Sequence, residues 1–130
     1  MSLARITNSS SGIMHFTGGA SLNSPSTYNY GAIQKDDGNL GPATLDSWLY
    51  NDGLVLSTAG QLNLQAGGTN GGTLTAQNPG SILAQGMDFS DSSQLTGNGL
   101  IALNGGSLRG SVSPSLAVAL SGTRIAASQN

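Results

Sequence analysis

Residues Gly60–Gly86 read GQLNLQAGGTNGGTLTAQNPGSILAQG. Apolar residues alternate with small polar ones, the pattern stops at glycine pairs or at Asn78-Pro79-Gly80, and then it resumes. A period of two is the mark of a strand with one buried face, and Gly, Asn and Pro are the residues that end such strands. The stretch carries no charge. Three phrases in and beyond it align: Gly60–Gln65 (GQLNLQ), Gly80–Gln85 (GSILAQ) and Gly99–Asn104 (GLIALN), with starts 20 and 19 residues apart. A weaker series lies between them: Gly53–Leu56 (GLVL), Gly72–Thr75 (GTLT) and Ser93–Thr96 (SQLT).

Self-similarity at this period marks a repeat architecture. A unit of two short strands cannot bury its own apolar side, but stacking it on a copy can. The spacing therefore predicts an all-β chain: a short β-solenoid-like stack of coils of about 19–20 residues, after an irregular β N-terminal part. An antiparallel β-sandwich or jelly roll is the alternative, since its short strands also recur with turn signals between them. Gly60, Gly80 and Gly99 are expected to be corresponding structural turns. Gly67–Gly72 and Asn104–Gly106 read as corners, and Ser115–Leu120 as a strand after Pro114.

Composition agrees with an all-β fold. Of 130 residues, only four are basic (Arg5, Lys35, Arg109, Arg124) and six are acidic, all aspartate. Glu, Lys and Arg usually fill exposed helix faces, so a mainly helical chain is excluded. Scattered basic residues cannot neutralise a phosphate track, which argues against nucleic acid as a partner. With no cysteine there is no disulfide framework. No apolar run approaches membrane-spanning length, so no membrane insertion is expected, and Met1–Phe16 lacks the apolar stretch of a signal peptide.

The length suits a single domain, 1–130, in two parts. Residues 1–52 hold Phe16, Tyr28, Tyr30, Trp48 and Tyr50, five of the six aromatics; residues 53–130 are the Gly/Asn-punctuated quasi-repeat. In the first part Ala4–Thr7, Gly12–Phe16 and Thr27–Gln34 read as strands, and Thr44–Tyr50 (TLDSWLY) as one helical turn. Tyr28, Tyr30, Trp48 and Tyr50, beside Arg5 and Lys35, are the candidate partner-binding residues, because Trp, Tyr and Arg dominate interface hot spots. The competing reading makes these aromatics the core of the first part.

Reactive groups are scarce. His15 is the only histidine, and no G-x-S-x-G elbow presents a serine to it. One histidine without cysteine cannot hold zinc. Asp36 and Asp37, in DDGN, match no calcium loop and read as a solvated turn. Gly67–Gly72 lacks the Lys-Ser/Thr of a phosphate loop, and Thr73–Thr75 is the only Thr-x-Thr of the kind an ice-binding ladder needs. No catalytic, cofactor-binding or metal-binding residue is expected.

The run Asn51–Gly86 and its continuation to about residue 110 resembles the repeats of filamentous-haemagglutinin-type β-helices and autotransporter passenger domains, which use the same G-x-L-x-L phrase with Asn/Gly corners. Residues 4–22, opening ARITNSSSGI, resemble the starts of small phage virion proteins. The second resemblance implies a phage virion component, a capsid decoration or a tail or fibre accessory protein made in the host cytoplasm. It would act as a homo-oligomer, with a trimer as one candidate, on a larger assembly such as a capsid or tail. The first implies the alternative, an adhesive or ligand-binding module of a secreted bacterial surface protein. Neither transfers a functional residue.

Overall fold

A computed structural model describes residues 5–36 and 41–125, and among them it is all β. The first coil is β1 (Ile6–Asn8) and β2 (Ile13–His15), the second β3 (Ser21–Asn29) and β4 (Ala32–Lys35), the third β5 (Ala43–Asn51) and β6 (Leu54–Ser57). The next three each hold three strands. They are β7 (Gly60–Leu64), β8 (Gly68–Asn70) and β9 (Thr73–Ala76); β10 (Gly80–Gln85), β11 (Met87–Phe89) and β12 (Gln94–Gly97); and β13 (Leu100–Asn104), β14 (Ser107–Leu108) and β15 (Ser111–Val112). The stack ends with β16 (Ala117–Ser121) and β17 (Arg124–Ile125).

Each strand pairs with its counterpart one coil away, and every pairing is parallel. The result is a β-solenoid of about six turns, with an 11-stranded sheet on one side and a 6-stranded sheet on the other. Parallel strands need a long crossover, and here the coil itself is the crossover. The antiparallel sandwich is thereby excluded.

Several expectations are corrected. The solenoid begins at β1, so the first fifty residues are coils of the same stack. Their irregularity is one of coil length: Ser21 pairs with Thr44, a wider step than Gly60 to Gly80, and β3 carries a bulge between Asn23 and Ser26. Thr44–Tyr50 is strand throughout, within β5. Its alternation (Leu45, Ser47 and Leu49 in; Asp46, Trp48 and Tyr50 out) satisfies a period of two, and cross-coil pairing outweighs local helix preference. Thr27–Gln34 is two strands in different sheets, separated by a corner at Tyr30-Gly31. Ala4 and Asp37–Asn39 lie outside the described residues, so strand Ala4–Thr7 is seen from Ile6 onward and the Asp37 reading is left there.

Gly67–Gly72 is not one corner. Gly67 is a kink, Gly68–Asn70 is β8, and only Gly71-Gly72 turns the chain into the other sheet. Asn104–Gly106 is likewise a kink within the long sheet. The unbroken strand β5 pairs with both β7 and β8, so the kink changes the backbone without changing the path. Gly67, Gly86 and Gly105 sit there with φ of 83°, 66° and 79°, a region that costs other residues about 1–2 kcal/mol.

The core lies between the sheets as columns running along the stack. Leu45, Leu64, Ala84 and Leu103 form one in the long sheet; Ile33, Val55, Leu74 and Leu95 form another in the short sheet. All are buried, each large one worth about 1.5–3 kcal/mol relative to exposure. Where the stack stops, the columns open: Val112 is 42% and Leu120 47% exposed. At the other end a shallow cavity of about 370 Å³ opens among Met14, Phe16, Ala20 and Leu22.

Candidate functional site

The four candidate aromatics come together on the outer face of the long sheet. Tyr28 and Tyr50 are register partners on β3 and β5, and Trp48 pairs with Ser26. Ring centroids are 5.5 Å apart for Tyr28–Tyr50, 6.4 Å for Tyr28–Trp48 and 6.2 Å for Tyr30–Tyr50, tilted by 37–57°. Such offset, tilted pairs are worth about 0.5–1.5 kcal/mol beyond their burial. Arg5 extends the cluster, its Cζ 4.9 Å from the centroid of Tyr28. Trp48 is 38% and Tyr30 41% exposed, so the reading of these aromatics as a core does not hold.

Alternation explains the placement. The inward places of β5 are taken by Ala43, Leu45, Ser47, Leu49 and Asn51, which leaves Thr44, Asp46, Trp48 and Tyr50 outside. The face continues round the corner to Asp52, which is exposed. In the next coil Gly67 follows Trp48, its carbonyl accepting the Leu49 N–H at 3.0 Å, so the position next to the indole carries no side chain. Thr69 follows Tyr50.

Lys35 does not belong to this face. It points into the short sheet's inner side, fully buried, with Nζ donating to the Ala59 carbonyl at 2.8 Å. Its column holds Phe16 before it and Ser57 and Ala76 after it, so the lysine stem fills volume that smaller neighbours leave.

The corner beside the aromatics carries a feature that no sequence reading picked out. Asn8, Asn29, Asn51 and Asn70 occupy one column, all buried, and each side-chain amide donates to the next: 2.7 Å from Asn8 to Asn29, 2.7 Å from Asn29 to Asn51, 2.6 Å from Asn51 to Asn70. Each amide also donates to the carbonyl of its own corner glycine, Gly12, Gly31, Gly53 or Gly72. Asn8, Asn29 and Asn51 reach in addition the carbonyls of Ala32, Leu54 and Thr73 one coil on. The ladder ends where Phe89 takes the column and Ser93 Oγ accepts from Asn70 at 3.2 Å. Asn-x-Gly at residues 29–31, 51–53 and 70–72 was the available signal.

Gly60 and Gly80 are register partners, and Gly99 lies against Gly80. Their reasons for being glycine differ. Gly60 has φ 71°, whereas a Cβ on Gly80 would run into the carbonyl of Ser57 and one on Gly99 into the carbonyl of Gly80. Close approach, not backbone angle, selects glycine at the last two.

The titratable groups are dispersed. His15 Nδ1 lies 3.1 Å from Asp36 Oδ1 on the outside of the short sheet, and Arg109 lies 3.6 Å from Asp91, both pairs being exposed. Among the described residues no three His, Cys, Asp or Glu side chains gather to hold a metal ion, and no helix is long and apolar enough to cross a membrane. Gln77, Asn78, Asn98 and Ser115 line a polar depression at the opposite corner. No protein-family model matches the sequence, and comparison with curated proteins and with solved structures returns no match.

Proposed function

We propose that this chain is a non-enzymatic structural protein. Its solenoid is a rigid rod, its open ends join copies of itself, and its outer aromatic face attaches to a larger assembly, of which a phage capsid or tail is the leading candidate. The observation that carries the reading is the cluster of Tyr28, Tyr30, Trp48 and Tyr50 held half in solvent on a hydrogen-bonded scaffold. Rigid aromatic anchors lose little side-chain entropy on binding, and Tyr and Trp amid Ser, Thr and Asn are the chemistry of a recognition surface. The open ends favour self-association, because an uncharged edge such as β16 (AVALS) has none of the charges or prolines that discourage pairing.

A second reading, a module of a longer bacterial surface adhesin, draws on the same open columns at Val112 and Leu120, which further coils of one chain would also cover. Immunogold labelling of the chain in its native source separates the two. Label on virus particles supports the first reading, label on the cell surface supports the second, and label free in solution removes both.

A further inference from the structure

We infer that the aromatic face binds guanidinium or ammonium groups carried on a basic segment of a partner protein. This rests on the attachment reading and names the chemistry of what attaches.

The face already holds one such group. Arg5 lies over the Tyr28 ring at 4.9 Å, within the range at which a ring's negative face attracts a cation. Two further rings on the same face have room for another. Trp48 is 38% exposed and the residue beside it in the following coil, Gly67, has no side chain; Tyr30 is 41% exposed at the corner.

Each of these rings has an aspartate at a neighbouring position. Asp46 is two residues from Trp48 on the outward side of β5. Asp52 follows Asn51 as Tyr30 follows Asn29, and those asparagines are register partners, so Asp52 and Tyr30 are neighbours across the coils. Among the described residues neither Asp46 nor Asp52 has a basic partner, whereas Asp36 and Asp91 do. A ring to stack on and a carboxylate to pair with are the two contacts a guanidinium makes. Charge complementarity thus selects a basic occupant over a neutral one, and a chain of net charge −2 does not repel it.

Trp48 is the only tryptophan, so its emission reports on this face alone. The purified chain is titrated with a hexa-arginine peptide, and in parallel with a neutral Gly-Ser peptide and with maltohexaose. A saturable change with hexa-arginine is expected, weakening as salt is raised. Asp46→Asn/Asp52→Asn should weaken it about three- to tenfold, while Asp88→Asn/Asp91→Asn, on β11 and in the turn after it, leaves it unchanged. Unchanged binding by Asp46→Asn/Asp52→Asn overturns the inference, as does a response to maltohexaose without one to hexa-arginine, or silence with all three. Self-association abolished by Arg109→Gln/Arg124→Gln overturns the separate partner and hands the site to a second copy. Particle labelling is independent of all these outcomes, so the attachment reading can stand if this one falls.

Discussion

Replacing Asn51 by alanine tests whether the buried ladder holds the corner together. The substitution removes bonds of 2.7 Å to Asn29 and 2.6 Å to Asn70, with weaker ones to the carbonyls of Gly53 and Thr73. Asn29 keeps the carbonyls of Gly31 and Leu54, so its loss is one bond, about 1 kcal/mol. Asn70 Oδ1 fares worse. It is buried, it loses the amide aimed at it, and an orphaned acceptor costs about 1–3 kcal/mol. The space vacated beside β6 and β8 adds about 1 kcal/mol. The total is about 3–5 kcal/mol. At a urea dependence of about 2 kcal/mol per molar, the unfolding midpoint should fall by about 2 M. Asn8→Ala, at the end rung, vacates a site that is already 8% exposed, so water entering it can pair with the orphaned Asn29 Oδ1, and the cost should be about 1–2 kcal/mol. Trp48 emission and far-UV circular dichroism are followed together, since coincident curves make a single free energy meaningful. Equal costs for the two variants, or less than about 1 kcal/mol for Asn51→Ala, would refute the ladder as a cooperative element.

Gly106 and Gly122 have φ of 70° and 66°, but only at Gly106 would a Cβ strike backbone, the carbonyl of Met87. Gly122→Ala should therefore cost about 1–2 kcal/mol and Gly106→Ala clearly more, as read from thermal midpoints; equal costs would show that the close approach is relieved. Lys35→Ala should cost about 2–4 kcal/mol for the lost stem, and Lys35→Met should recover most of it if packing, rather than charge, is what the column needs. Sedimentation velocity at micromolar concentration should show oligomers; a sharp monomer boundary with cooperative unfolding would remove the self-assembly reading.

Residue order alone determined the all-β class and the repeat period, while the parallel stacking was decided by the tertiary structure. The alternation in Gly60–Leu64 and Gly80–Gln85, with their spacing, is a local property of the chain; it fits both a stack and an antiparallel sandwich, and only the parallel register of β7 with β10 separates the two. The partner of each side chain across coils was not legible, because it depends on coil lengths that vary between Ser21–Thr44 and Gly60–Gly80. Alternation groups Trp48 with Asp46 and Tyr50, yet nothing local says whether that group or Leu45 with Leu49 turns inward. The stack decides: Leu45 continues the column of Leu64, Ala84 and Leu103, and Leu49 is buried in the same core between Thr27 and Gly68. The same ambiguity hid Lys35, whose side chain reads as a surface charge until Phe16 and Ser57 are seen in its column. Asn29, Asn51 and Asn70 look like ordinary turn residues one at a time. They become a buried ladder only when consecutive coils set them in line, because an amide that both donates and accepts is satisfied by its own copy in the next coil.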